Sequence, residues 1–443
     1  MGDFFRSFWW LLFLFLFGVV GLSFFTKQEE FYKILLFYIP MFLGYAYVVK
    51  SADASWLNHL LIFGVLLRFI LLFAFPFLSD DVFRFIWDGR LWQQGINPFN
   101  HLPTHFMLEG NQVAGLDQAL FDKLNSPEYF TIYPPVNQIV FYLSTVLAGS
   151  SIWWSAFLMK TFLFASEVGT IFLLPKVLKN YGIEPKNALI YVLNPLIIIE
   201  VCGNMHFEGM MVFFLLVAIH FLKKEKFWQS AIAFALSVAS KLLPLIFLPF
   251  LLKKYGFKKT LIYGSIVGIT LVLLYIPMIN QTFINNFSNS LNLYFQKFEF
   301  NASIYYVARW VGYQRVGWNM IAKIGPQLAM LSSLSIVLLA IFKTNKNSIL
   351  PQKWMWAIMI YLLCTTTVHP WYVALPLFLC CFSNFRFPML WSALICLTYI
   401  NYSYGDYFEN LWIVALEYLV VFGFMIWEIF NKERMEVTTL GAK

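Results

Sequence analysis

Leu60-Leu61-Ile62-Phe63-Gly64-Val65-Leu66-Leu67-Arg68-Phe69-Ile70-Leu71-Leu72-Phe73-Ala74-Phe75-Pro76-Phe77-Leu78-Ser79-Asp80-Asp81 is an apolar run, broken by one arginine and closed by two adjacent acids. It belongs to the apolar stretch 56–77, which meets the about 20 residues that a membrane-crossing helix takes. The same pattern recurs at 8–25, 32–49, 152–175, 187–200, 207–222, 227–240, 242–252, 259–278, 319–342, 353–368, 371–382, 387–401 and 411–430. The expected fold is an all-α polytopic integral membrane protein: a bundle of about 14 transmembrane helices forming a single transmembrane domain over 1–443. Several runs are short for a full crossing, so kinked helices or a thinned, wet region are expected there.

Composition agrees. Of the 443 residues 60% are hydrophobic, 20% aromatic and only 12% charged, and mean hydropathy is +0.69. A soluble domain carries about 25% charge, so soluble globular, disordered and fibrous classes drop out. The five cysteines fall in or beside apolar stretches, with no CxxC and no zinc spacing. They read as small buried residues. The first run spans without a small-residue cleavage site, so a retained helix is expected rather than a signal peptide.

The net charge of +8 acquires meaning once it is sorted by loop. With the N-terminus inside, one set of loops collects Arg6, Lys50, Lys176, Lys179, Lys186, Lys223, Lys224, Lys226, Lys253, Lys254, Lys258, Lys259, Lys343, Lys346, Lys353, Arg386, Lys432, Arg434 and Lys443. Such an excess marks the cytoplasmic side, placing both termini there in a cell inner (plasma) membrane. The lysine runs are orientation signals, and no nucleic-acid partner is expected. This parity requires 134–148 to be a short helix in the outer interface rather than a crossing, as its Pro-Pro start and length also favour.

Between Phe77 and Ile152 lies the longest external segment, 78–151. It holds Asp80, Asp81, Asp88, Glu109, Asp117, Asp122 and Glu128 against Arg84, Arg90 and Lys123. Loops of that length usually carry function or structure of their own. Ser79-Asp80-Asp81 reads as a helix start, with Asp81, Arg84 or Phe85, and Asp88 recurring on one face. An acid in a first turn is stabilised as the anion by the helix dipole, and an ionised carboxylate in reach of water serves as a general base. A helix cap with a solvated acid pair reads equally well from these residues alone.

The strings Asp80-Asp81, Trp87-Asp88-Gly89-Arg90, Gly95-Ile96-Asn97-Pro98-Phe99 and Tyr133-Pro134-Pro135 together resemble the first external loop of GT-C glycosyltransferases. Asn194-Pro195, Gly203-Asn204-Met205-His206, Ser240-Lys241-Leu242-Leu243-Pro244 and His369-Pro370-Trp371-Tyr372 extend the resemblance in family order. It is nearest to bacterial polyprenol-phosphate-mannose mannosyltransferases. Two further spans precede the acidic loop here, and the two acids are adjacent where some relatives separate them, so Asp80 and Asp81 both stay candidates for the base. The resemblance implies transfer of a sugar, with a lean to mannose, from a polyprenyl-phosphate carrier to a glycan or glycolipid hydroxyl on the external face, with inversion. It also implies interfacial helices in the external loop and no cofactor; it favours no divalent metal at Asp80/Asp81.

Such a transfer needs a base, cations for the departing phosphate, and groups that hold sugar. Asp81 or Asp80 supplies the base. Lys241 lies between two short apolar runs whose other ends carry lysine pairs, so it sits at the tip of a hairpin and is the main phosphate candidate; snorkelling is the plain alternative. Arg309 and Arg315, in the second external segment 279–318, match phosphate bidentately, and His369 joins them. Arg84, Asp88, Arg90, Tyr133, Asn204, His206, Trp371 and Tyr372 are the substrate-binding candidates, the aromatics reading equally as interfacial belt residues. Glu200 and Glu208 flank the His206 turn and either bind sugar hydroxyls or are solvated. Lys160, Glu167 and Arg68 read as a structural ion-pair network. A transporter or lipid-linked-sugar flippase is the alternative function; it predicts inverted repeats, and none is visible.

Overall fold

In the computed structural model, which describes residues 2–342, 349–404 and 408–440, every regular element is a helix. Lys343, Lys346 and Lys443 lie outside the described residues, as do the side chains of Arg6, Lys432 and Arg434. Helices α1 (Gly2–Phe24) and α2 (Phe31–Ser51) pack at close range through glycine. A Cβ on Gly21 would stand 2.2 Å from the Phe37 ring. Helix α3 (Leu57–Leu71) follows, and its last carbonyls would be orphaned inside apolar surroundings. The buried Lys160 amine closes this end, donating to Leu71 O at 3.0 Å and, just past the helix, to Ala74 O at 2.5 Å.

Helix α4 (Asp81–Gln93) opens the long segment 78–151, which continues through the short α5 (Gln118–Phe121) into α6 (Pro135–Ala148). Val82, Phe85, Ile86, Trp87 and Phe141 build a second apolar core there, joined by Met159, Met205 and Phe207. Phe85 and Phe141 stack at 4.6 Å. Gly89 permits the contact of α4 with α6: a Cβ would lie 2.5 Å from Phe141 O. The expected short helix at 134–148 is therefore present, braced against α4. Ser151 then caps α7 (Ile152–Asn180), whose 29 residues reach about 43 Å at 1.5 Å per residue.

Asn194-Pro195 breaks the next run into α8 (Leu189–Val192) and α9 (Pro195–Ile197), and the two halves bend by 53°. Asn194 caps the second half through Leu196 N and donates to Ser392 Oγ. A wide turn over Ile198–Gly203 leads to Met205 (φ +66°) and His206, then α10 (Glu208–Lys223) and α11 (Phe227–Ser240). Lys241 is extended (φ −162°) where α11 stops, as the hairpin reading requires.

The remainder comprises α12 (Pro249–Tyr275, broken at Gly256), α13 (Gln281–Gln296), α14 (Ile304–Val316), α15 (Ile321–Ile341), α16 (Leu350–Cys364), α17 (Ala374–Cys380), α18 (Phe387–Leu394) and α19 (Leu411–Leu440). Leu261, Ile269 and Leu273 of α12, Leu334 of α15 and Trp412 and Leu419 of α19 point outward, as lipid-facing residues do. The chain is a multi-pass, all-α membrane protein.

Each apolar run falls on a helix or helix group, but the count of about fourteen is finer than the structure supports. Among the described residues six helices are long and apolar enough to cross, or seven with the bent pair. The 242–252 and 259–278 runs share α12, and 371–382 and 387–401 are short pieces. A second correction concerns Lys160, which bonds carbonyls rather than Glu167. The ion pair is Arg68 Nε to Glu167 Oε2 at 2.8 Å, with Tyr191 OH on the other carboxylate oxygen at 2.7 Å.

Candidate active site

Asp81 begins α4, and one-fifth of its side chain remains accessible. Its Oδ1 accepts from Asn125 Nδ2 at 2.9 Å, and its Oδ2 lies 3.9 Å from His206 Nε2. Asp80 precedes the helix and lines a separate cleft with Lys27, Glu29 and Lys123. Partial desolvation, then the charges of Asp81 and Glu29, push its carboxyl pKa up. Of the two acids, Asp81 is the one that meets residues from the other motifs.

His206 is held on both sides. Its Nδ1 lies 3.0 Å from Glu200 O and 3.2 Å from Glu200 Oε2, which assigns the proton to Nδ1. Nε2 is buried, has no hydrogen-bond partner and is turned toward Asp81. Glu200 is itself buried and accepts from Tyr399 OH at 2.7 Å and Asn204 Nδ2 at 3.1 Å. The positive φ of Met205 makes this sharp turn possible at a cost of about 1 kcal/mol or more.

The ring of His206 stacks on Trp371 at 3.6 Å between centroids. Trp371 stacks on His369 at 4.6 Å, and His369 on Phe300 at 4.9 Å. Four rings from three distant segments thus form one pile. Phe300 is clipped in place by Phe300 N to Thr366 O (3.1 Å) and Val368 N to Phe300 O (2.8 Å). Burial, then Lys241 and His206, push the His369 imidazole down to about 3, so it is neutral at physiological pH.

Lys241 closes the group. Its ammonium pairs with Glu208 and sits 4.3 Å from the centre of the Tyr372 ring, which meets His369 edge-on at 5.5 Å. Glu208 is buried, whereas the Lys241 side chain is 27% exposed. Tyr133 lies nearby: burial, then the charge of Asp81, hold its hydroxyl protonated well beyond the usual range, with Asp88 and Glu208 adding and Arg84 opposing. Among the described residues no three His, Cys, Asp or Glu side chains group as metal ligands.

The structure thus brings together Asp81, Tyr133, His206, Lys241, His369, Trp371 and Tyr372. It places the other candidates elsewhere. Arg84 bonds Asp88 at 3.0 Å and Tyr129 O at 2.9 Å. Asp88 is fully buried and also accepts from Thr131 Oγ1 and Gln138 Nε2. Arg90 donates to Gly115 O and Ser150 O, both at 2.7 Å. These three, expected on substrate, hold the 78–151 segment on α4 instead. Asn204 serves Glu200. Arg309 pairs with Glu299, which also accepts from Tyr305 OH and Asn319 Nδ2, and Arg315 is exposed at the end of α14. Among the described residues no hydrogen bond or ion pair joins either arginine to the Asp81 group. Neither Glu200 nor Glu208 is solvated. Asn125 and Phe300 were not anticipated: each is a lone residue in an aperiodic segment, and no local pattern singles it out.

Residues 31–254, half of the chain, match the family described as alpha-(1->6)-mannopyranosyltransferase, N-terminal domain. The chain belongs to this alpha-(1->6)-mannopyranosyltransferase family. The matched part contains Asp81, Tyr133, His206, Glu208 and Lys241. The family member shares 26% identity over 181 residues with alpha-(1->6)-mannopyranosyltransferase A of Corynebacterium glutamicum, covering 41% of this chain and 35% of that protein. It shares 26% over 184 residues with the protein of the same name from Mycobacterium tuberculosis, covering 41% and 34%. The alignments thus span about a third of the length of these curated relatives. Phe300, His369, Trp371 and Tyr372 lie beyond the family match, and the fold returns them to it. Membership in a transferase family does not favour the transporter or flippase alternative.

Proposed function

We propose that this chain transfers mannose from a polyprenyl-phosphate carrier to a hydroxyl of a glycan or glycolipid on the external face of the membrane. One observation carries the reading. The acid that starts the long loop faces His206, whose ring pile meets, through the edge of Tyr372, the ring beneath Lys241. Family membership supplies the sugar; the polar external loop and the opposing cationic loops favour the face.

In the proposed step, Asp81 takes the proton of the acceptor hydroxyl. The oxygen attacks the anomeric carbon as the bond from that carbon to the phosphate oxygen breaks. The electron pair leaves with polyprenyl phosphate, whose added negative charge Lys241 stabilises. Displacement inverts the carbon, so an α-linked product requires a β-linked donor. The neutral His369 can contribute only a hydrogen bond to the phosphate. Trp371 and Tyr372 offer aromatic faces to the sugar.

The test is mannose transfer by purified protein from a synthetic polyprenyl-phosphate mannose. Asp81→Asn should lose about 10²–10⁴-fold in kcat, with Asp80→Asn far milder and EDTA without effect. Full activity of Asp81→Asn removes the base assignment. Absence of transfer from any lipid donor, with flipping in liposomes, replaces the enzyme by a flippase.

A further inference from the structure

Beside the candidate site lies a cleft of about 580 Å³ that the proposed chemistry leaves unused. Its size falls within the about 300–1,000 Å³ of small-ligand sites. Three connections build it: the link from α1 to α2, the link from α3 to α4, and the start of α7 with Lys123. Gln28 N donates to Phe77 O at 3.2 Å and ties the first two together.

The lining combines opposite charges with rings. Lys27 and Lys123 face Glu29 and Asp80, so the charged groups cancel. Phe75, Phe77, Phe83 and Trp153 supply aromatic surface. Phe77 is 45% exposed and Trp153 38%. Trp153 is held by a stack on Phe157 at 5.4 Å.

A net-neutral lining does not select a phosphate, and four charged side chains do not suit a lipid tail. Two carboxylates and two amines among aromatic rings suit a neutral polyhydroxylated ring, which presents hydroxyls at its rim and C–H faces to the rings. The cleft neighbours the base along the chain. Asp80 adjoins Asp81, and Lys123 is two residues from Asn125, which bonds Asp81. The phosphate-binding lysine lies in the other group, with His369 and Tyr372.

We infer that this cleft binds the acceptor, a neutral hexose oligosaccharide, and delivers its terminal hydroxyl to Asp81. The inference rests on the transfer reading above for the last step, but not for binding.

The experiment uses the full chain in detergent with α-linked mannotriose as probe. Trp153→Ala should raise both the calorimetric Kd for mannotriose and the acceptor KM about tenfold, with kcat and donor KM unchanged. Trp153→Phe should recover most of the loss, and an unchanged melting temperature shows that the variants fold. The inference is overturned if acceptor KM stays constant while transfer proceeds. It is equally overturned if donor KM moves instead, which makes the cleft a lipid-headgroup site, or if mannotriose does not bind. Trp153-dependent binding without any transfer supports the cleft and removes the proposed function alone.

Discussion

His206 stands between two carboxylates, with Glu200 3.2 Å from Nδ1 and Asp81 3.9 Å from Nε2. Glu200 fixes the tautomer and leaves Nε2 to face the base. His206→Ala should therefore lower kcat by about a hundredfold, the scale of a 1 Å misplacement, with donor KM changing little. Steady-state kinetics against both substrates check this. A loss confined to donor KM would make His206 a phosphate ligand.

Lys241 cannot be removed cleanly, because Glu208 would be left buried and unpaired. Lys241→Met should destabilise the protein by on the order of 3 kcal/mol and raise donor KM. The double variant Lys241→Met/Glu208→Gln should recover stability but not donor affinity. Thermal melts and donor titrations separate the two effects, and recovered donor affinity would take the phosphate away from Lys241.

His369 makes folding pH-dependent. Its ordinary pKa of 6.5 falls to about 3 in the folded chain, so the unfolded state binds the extra proton between those values. Stability contributed by the neutral ring is complete above about pH 6.5 and is lost as pH falls toward 3. Melting temperatures from pH 7 to 5 should fall less steeply for His369→Gln than for the wild type. Parallel curves would mean that the ring titrates normally.

Gly89 and Arg315 form a contrasting pair. Gly89→Ala places a methyl group against Phe141 O and should cost about 1–3 kcal/mol, tilting α4 and reducing activity. Arg315→Ala alters an exposed helix end and should leave stability within about 0.5 kcal/mol and activity unchanged. A large activity loss in Arg315→Ala would bring this arginine back to the phosphate.

Legibility followed range along the chain. Apolar runs predicted where helices lie because lipid and packing both read the same periodicity. The start of α4, the short helix before α7 and the exposed turn at Lys241 are local features and were visible. For the run 187–200 a kink was expected from its shortness, but apolarity on both sides of Asn194-Pro195 hid the place of the break. Arg84, Asp88 and Arg90 misled because charge on a helix face shows readiness to bond, not with what. Of their partners, Thr131, Gly115 and Ser150 lie in aperiodic segments and Gln138 on α6, all distant along the chain. The ring pile was invisible for the same reason: its members are separated by up to 165 residues, from His206 to Trp371.

The two hydrogen bonds that clip Phe300 to the strip before His369 also set a timetable. During synthesis Asp81, His206 and Lys241 emerge first, in the family-matched part of the chain. Phe300 follows, but its clip and the rings of His369 and Trp371 are missing until the chain has grown past residue 371. A nascent or truncated chain that ends before then carries the acid and the lysine but no aromatic floor between them, so competence arrives late and all at once.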